Sequence, residues 1–172
     1  MLTPFEVKAA LDGGVLLCDT REQDTPALRA RLRKTGMKVE RKKLDFGDYS
    51  AKYPINGDKW LDLSQTVAVE RKMNFTELAA CYCNGRRRFC AEFERAREKG
   101  AKLYLLVEGE TWERAYAGKY RSKMQPQALI ASMLAWLARY NCQILFCRPE
   151  TSGNLIRDIL YREAKERLER ML

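Results

Sequence analysis

Three short runs in this chain are almost unbroken in apolar side chains, VLLC within residues 15–20, TVAV within 66–71 and LYLLV within 102–109, and a fourth, CQILFC at 142–147, is interrupted only by Gln143. A strand with one face in water alternates apolar and polar side chains, so runs of this kind belong to strands covered on both faces. Helical spacing fills the segments between them, with no internal repeat, low-complexity tract or Pro/Ser-rich linker. Such alternation makes an α/β fold, here a mixed β-sheet flanked by α-helices on both faces. The 172 residues suffice for one well-buried core and are read as a single domain, 1–172.

The pattern predicts a helix over 4–11 ended by Gly13-Gly14, a strand at 15–20, and a helix opened by Thr25-Pro26 and stopped at Gly36. A strand over 37–46 leads through Gly47 into a second at 48–53, and Asn56-Gly57 marks a hairpin whose returning arm runs from 60 to 71. Helices follow at 75–83 and 86–99, then the strand 102–109, helices at 111–117 and 125–139, the strand 142–147 and a last helix from 152. Residues 127–147 are apolar around most of the helical circumference, which makes them core or one half of an interface. The last helix gathers Ile156, Ile159, Leu160, Ala164 and Leu168 on one face.

Charge and missing residue types narrow the chemistry. A net charge of +9 and a pI near 9.3 favour a polyanionic partner. No stretch is apolar enough to cross a bilayer and the opening residues lack a secretion pattern, so a soluble, cytoplasmic protein is expected. Cys18, Cys142 and Cys147 sit in apolar runs as core thiols, and Cys81, Cys83 and Cys90 lack the spacing of a zinc site. Histidine is absent altogether, which removes the commonest general base and every His-dependent triad. Hydrolytic chemistry in this chain falls to carboxylates, lysine and a metal.

The strand TVAVERK supplies two of these. Side chains two apart on a strand share a face, so Glu70 and Lys72 project together and Arg71 points the other way. Asp48, just after Gly47 on the hairpin partner, can reach the same spot, and CDTRE at the end of the first strand adds Asp19 and Glu22. Carboxylates that converge repel one another unless a divalent cation neutralises them, and oxygen ligands suit Mg2+, with Mn2+ as substitute. Such an ion holds a phosphate oxygen and stabilises a leaving group, with Lys72 positioning or deprotonating the attacking water. Each residue alone also reads as a turn residue or a solvated strand end; it is the combination that describes a metal-dependent phosphodiesterase.

CDTRE, FGDYS and VERK, in this order and spacing, resemble the XPF-type nuclease domain, also called the excision-repair cross-complementation group-four domain. The likeness covers about residues 15–107, and Asn84-Gly85-Arg86 adds a fourth matching motif. It implies a restriction-endonuclease-like fold and Mg2+-dependent cleavage of branched or flapped DNA. Asp19, Asp48 and Glu70 match the acidic metal positions, Lys72 the catalytic lysine, and Arg21, Glu22 and Arg71 the other charged positions. The family pattern has an acid four residues after the lysine; here Thr76 stands there, with Glu77 next as a candidate replacement in the metal site. Many relatives carry a helix-hairpin-helix tail or a helicase for which 172 residues leave no room, so a stand-alone phage or prophage form serving recombination, replication or repair is expected. The family also pairs its nuclease domains through the C-terminal half, implying a homo- or heterodimer.

Two basic segments are candidate DNA contacts. Arg86, Arg87 and Arg88 open a helix, where guanidiniums and the helix N-terminus both attract phosphate. Lys119, Tyr120, Arg121 and Lys123, following Tyr116, interleave aromatic and basic residues as a track for single strands. Three readings follow: a structure-selective endonuclease, a pseudonuclease that binds DNA or scaffolds a dimer without cutting, and a restriction-type enzyme reading sequence in plain duplex.

Overall fold

The computed structural model describes residues 2–172. In chain order the elements are α1 (Pro4–Asp12), β1 (Val15–Cys18), α2 (Pro26–Thr35), β2 (Lys38–Arg41), β3 (Tyr49–Pro54), β4 (Trp60–Asp62), β5 (Val67–Lys72), α3 (Phe75–Tyr82) and α4 (Arg86–Glu98). They continue with β6 (Lys102–Glu108), α5 (Trp112–Tyr116), α6 (Pro126–Arg139), β7 (Cys142–Cys147) and α7 (Pro149–Glu169). The seven strands form one mixed sheet in the order β2-β1-β3-β5-β6-β7, with β4 also on β3. β5, β6 and β7 run parallel, whereas β3 is antiparallel to β1 and β5.

Period two sorts the side chains of β5 and β6 into two cores. Ala68, Leu103, Leu105 and Val107 pack under α3, α4 and α6, around the fully buried Trp136. Val67, Val69, Tyr104 and Leu106 pack on the other face with α1, α2 and α7. Gly153 lets α7 approach α2: a Cβ there would lie 2.4 Å from the Arg31 carbonyl oxygen. The expected helices stand within a residue or two, apart from α7, which starts earlier because Pro149 takes its first position. Cys18 and Cys142 are buried and Cys147 is half-buried. Among the described residues no helix is long and apolar enough to cross a membrane.

β1 ends at Cys18 rather than at 20, and two other strands also fall short of the sequence pattern. The arm expected over 60–71 breaks: β4 pairs Lys52 with Asp62, β5 pairs Tyr49 with Val69, and residues 63–66 loop out between them. Leu63 causes the break, since its side chain is fully buried while Thr66 and Val67 both donate to its carbonyl. The strand expected over 37–46 ends at Arg41, because Leu44 and Phe46 turn inward and the Leu44 N–H is taken by Asp19.

Candidate active site

The parallel strand β5 delivers the centre of the site. Glu70 and Lys72 emerge on the α3/α4 face, with Lys72 Nζ 2.5 Å from Glu70 Oε1 and 5.4 Å from the Phe89 ring centroid. Arg71 points to the α2/α7 face and binds Glu108. Asp48 joins from the loop before β3: its N–H donates to the Val69 carbonyl at 2.9 Å, and its Oδ2 accepts from the Arg71 N–H at 2.8 Å. Gly47 makes this approach feasible. Its φ of 72° lies in the left-handed region, and a Cβ there would come 2.6 Å from that of Ala68.

A cleft of about 260 Å³ collects Arg21, Glu22, Asp48, Glu70, Lys72, Glu77, Arg88 and Glu92. Asp19 is fully buried behind it: Oδ1 accepts from the N–H and Nε of Arg21, both at 2.7 Å, and Oδ2 from Arg21 Nη2 and the Leu44 N–H. With both oxygens engaged, what Asp19 does in this geometry is hold the Arg21 guanidinium at the cleft. Burial works to raise its pKa, yet the Arg21 bonds leave it below the usual carboxylate value. Glu22 is held from below by the Tyr49 hydroxyl at 3.0 Å, which in turn accepts from Arg31 at 2.9 Å.

Thr76 and Glu77 part company. Glu77 enters the cleft, with Oε1 3.8 Å from Lys72 Nζ and Oε2 accepting from the Met73 N–H. Thr76 lines a neighbouring groove and accepts the Arg121 N–H at 3.0 Å. Of the three arginines opening α4, Arg88 lines the cleft, Arg86 lies over the Trp136 ring at 5.9 Å and Arg87 is exposed. Lys119 and Arg121 lie in the groove with Tyr120, while Lys123 is exposed in the same loop. Tyr120 is half-buried in the wall of the groove. Its ring meets Phe75 edge-on at 6.1 Å and its hydroxyl donates to the Met124 carbonyl, so it anchors the loop. Tyr116 is elsewhere, beside Ile130 and the exposed Leu134 of α6.

Sequence reasoning passed over Glu92. It is buried and accepts the Gly47 N–H at 2.8 Å, with Arg21 Nη2 at 3.9 Å. The available signal was its place one helical turn after Arg88 on the face that also carries Phe89 and Phe93.

Burial opposes ionisation of the two carboxylates at the centre of the cleft. Desolvation, then the charge of Glu70, pushes Asp48 well above the usual carboxylate value. Desolvation likewise raises Glu70 to about 7, opposed by Lys72 and assisted by Glu92. Burial disfavours the Lys72 ammonium, but Glu70 and Asp48 outweigh it and hold its pKa above normal. Lys72 is therefore a charged donor at neutral pH. Glu70 Oε2 is buried with no hydrogen-bond partner. Among the described residues no group of three or more His, Cys, Asp or Glu forms a ready-made metal cage. An open two-carboxylate pair with an unpartnered oxygen still fits Mg2+, which commonly takes one or two carboxylates and completes its shell with water and substrate phosphate.

A family model described as the ERCC4 domain matches residues 18–159. Among solved structures the chain is similar to XPF from Aeropyrum pernix, at 22% identity and a TM-score of 0.62, over 87% of this chain and 61% of that one. It is also similar to XPF from Aeropyrum pernix in complex with DNA, at 24% identity and a TM-score of 0.61, over 89% and 66% of the two chains. It thus spans less than two thirds of the length of these two structures, and the likeness carries the restriction-endonuclease-like fold. No curated protein matches.

Proposed function

The chain belongs to the ERCC4 domain family, and from that premise we propose that it is a metal-dependent, structure-selective endonuclease that hydrolyses phosphodiester bonds in branched or flapped DNA. One observation carries the reading: Asp48, Glu70 and Lys72 line a single cleft, with arginines at its walls and an unpartnered buried carboxylate oxygen inside. Asp48 and Glu70 would hold Mg2+ or Mn2+, which supplies Lewis acidity toward the phosphodiester.

The remaining work falls to the chain's own side chains. The Lys72 ammonium, kept charged by its neighbours, orients the attacking water and offers positive charge to the phosphate as negative charge builds. Arg21, steadied by Asp19, and Arg88 from α4 bind the flanking phosphates. Glu92 fixes the Gly47 N–H and so the backbone that presents Asp48. A second nuclease domain would pair through the C-terminal half, where Tyr116 and Leu134 stand exposed.

The test is a panel of labelled flap, fork, four-way-junction and linear duplex DNAs incubated with the protein in Mg2+ or Mn2+, and again with EDTA. Cutting confined to branched substrates and abolished by EDTA supports the proposal. Cutting of linear duplex at a fixed sequence replaces it with a restriction-type reading, and tight binding without cutting in either metal replaces it with the pseudonuclease.

A further inference from the structure

Helix α3 has a second groove on its far side, which the chemistry above leaves unused. It measures about 790 Å³ and lies between the first turn of α3, the turn after β6 and the loop joining α5 to α6. Adjacent residues divide the two spaces, Glu77 lining the cleft and Thr76 the groove.

The charges in the groove do not cancel. Both acids of its floor are occupied: Glu110 accepts from the Phe75 N–H at 3.1 Å and Arg114 Nε at 2.8 Å, and Glu108 is bound by Arg71 with Arg31 3.4 Å away. Lys119 and Arg121 at its rim are exposed, and among the described residues neither has an ion-pair partner. These cations ride on a pinned loop. Thr76 holds the Arg121 N–H, Arg114 holds the Lys119 carbonyl at 3.2 Å, and Tyr120 is anchored at both its ring and its hydroxyl. Ordered, uncompensated positive charge over open space is a site for a polyanion.

Resting on the nuclease reading, we propose that this groove is a second DNA site. It takes the single-stranded arm that leaves the cleavage cleft across the first turn of α3, and Lys119 and Arg121 grip its phosphates. Lys119 and Arg121, two residues apart on one loop, are placed to contact successive backbone phosphates of a single strand. Recognition runs through phosphate charge at Lys119 and Arg121 and is independent of base sequence. The neutral Thr76 hydroxyl keeps negative charge out of the groove mouth while tethering the loop.

The experiment uses the full chain, Lys119→Ala/Arg121→Ala and Thr76→Asp, with Arg162→Ala/Lys165→Ala on the exterior of α7 as a control. Binding of a fluorescent 15-nucleotide oligothymidylate is followed by anisotropy against salt, without metal. Each phosphate contact to a single strand contributes about 0.7 to the log–log salt slope, so losing two lowers it by about 1.4. Thr76→Asp weakens binding, the α7 control matches the wild type, and all variants keep the wild-type melting temperature. In cleavage, KM rises for a flap bearing a single-stranded arm and stays level for the same junction without it. An unchanged salt slope, or a KM that rises equally with and without the arm, overturns the groove site. A wild-type chain that cuts nothing overturns the nuclease reading instead, while the binding measurement still decides the groove.

Discussion

Glu108→Gln removes one charge from the most deeply buried ionic network in the fold. Glu108 is 2% exposed and sits between two guanidiniums, Arg71 Nη2 bonded to its Oε2 and Arg31 Nε 3.4 Å from its Oε1. Arg71 separates Glu70 from Lys72, while Arg31 reaches Glu22 through the Tyr49 hydroxyl, so this network lies under both walls of the cleft. Glutamine keeps the shape but leaves the buried Arg31 and the half-buried Arg71 without their shared counter-ion. Removing one partner of a buried pair destabilises by about 3–5 kcal/mol. At about 2–4 °C per kcal/mol for a chain of this size, Tm falls by about 6–20 °C. Burial alone would raise the Glu108 pKa, but the Arg71 bond, Ser152 and the arginine charges hold it below its ordinary 4.5. A depressed folded-state pKa means the stabilisation is fully present above about 4.5 and disappears as pH falls through the folded value. Urea denaturation at pH 7 and pH 4 should therefore show the full gap at pH 7 and a narrower one at pH 4. Replacing the group together, as Glu108→Leu/Arg71→Met/Arg31→Met, should recover most of the loss, because apolar residues of similar volume need no counter-charge. A gap below about 1 kcal/mol at pH 7, or one independent of pH, refutes the argument.

Three further outcomes follow from the packing. Gly47→Ala forces a Cβ to within 2.6 Å of Ala68 at a φ of 72°, and should lower stability by about 1–3 kcal/mol in urea melts while displacing Asp48 and slowing cleavage. Burial pushes Glu163 up, but Lys102, Tyr104 and Arg167 together hold it down to about 2. Glu163→Gln should then cost about 1.5–3 kcal/mol at neutral pH, with the Tm difference closing as pH falls from about 4.5 toward 2. Trp136→Ala empties the centre of the aromatic cluster formed with Tyr82, Phe89 and Phe93, for a loss of about 3–5 kcal/mol measured by the same melts.

The parts of this fold legible in the sequence are those where a local pattern and the tertiary environment agree. The apolar runs of β1, β5 and β6 belong to buried strands, whereas β7 lies at the sheet edge with only Cys142 buried, and the Thr25 cap with Pro26 opens α2 where the pattern places it. Period two on β5 correctly separates Glu70 and Lys72 from Arg71. Illegible features depend on contacts far apart in the chain. Leu63 breaks the β4–β5 arm because it sinks into the core formed by other strands, and Asp19 turns toward Arg21 because Leu44 comes to meet it. Glu92 reaches the cleft through an amide 45 residues away, which helical spacing cannot reveal. Helical geometry alone turns Glu77 about 100° from Thr76, but that the Thr76 hydroxyl is claimed by the Arg121 N–H, 45 residues further on, is not readable from the sequence.

Single-turnover cleavage of a labelled flap in Mg2+ by the wild type and by Lys72→Met tests the central claim most directly. The lysine is 9% exposed and paired with Glu70, so anisotropy and the melting curve are run on the same samples to establish that the variant is folded and still binds. A metal-dependent wild-type rate that falls by about 10²–10⁴-fold in the variant, with DNA affinity retained, is the predicted result. A variant that cuts as fast as the wild type would contradict the assignment of the chemistry to this cleft.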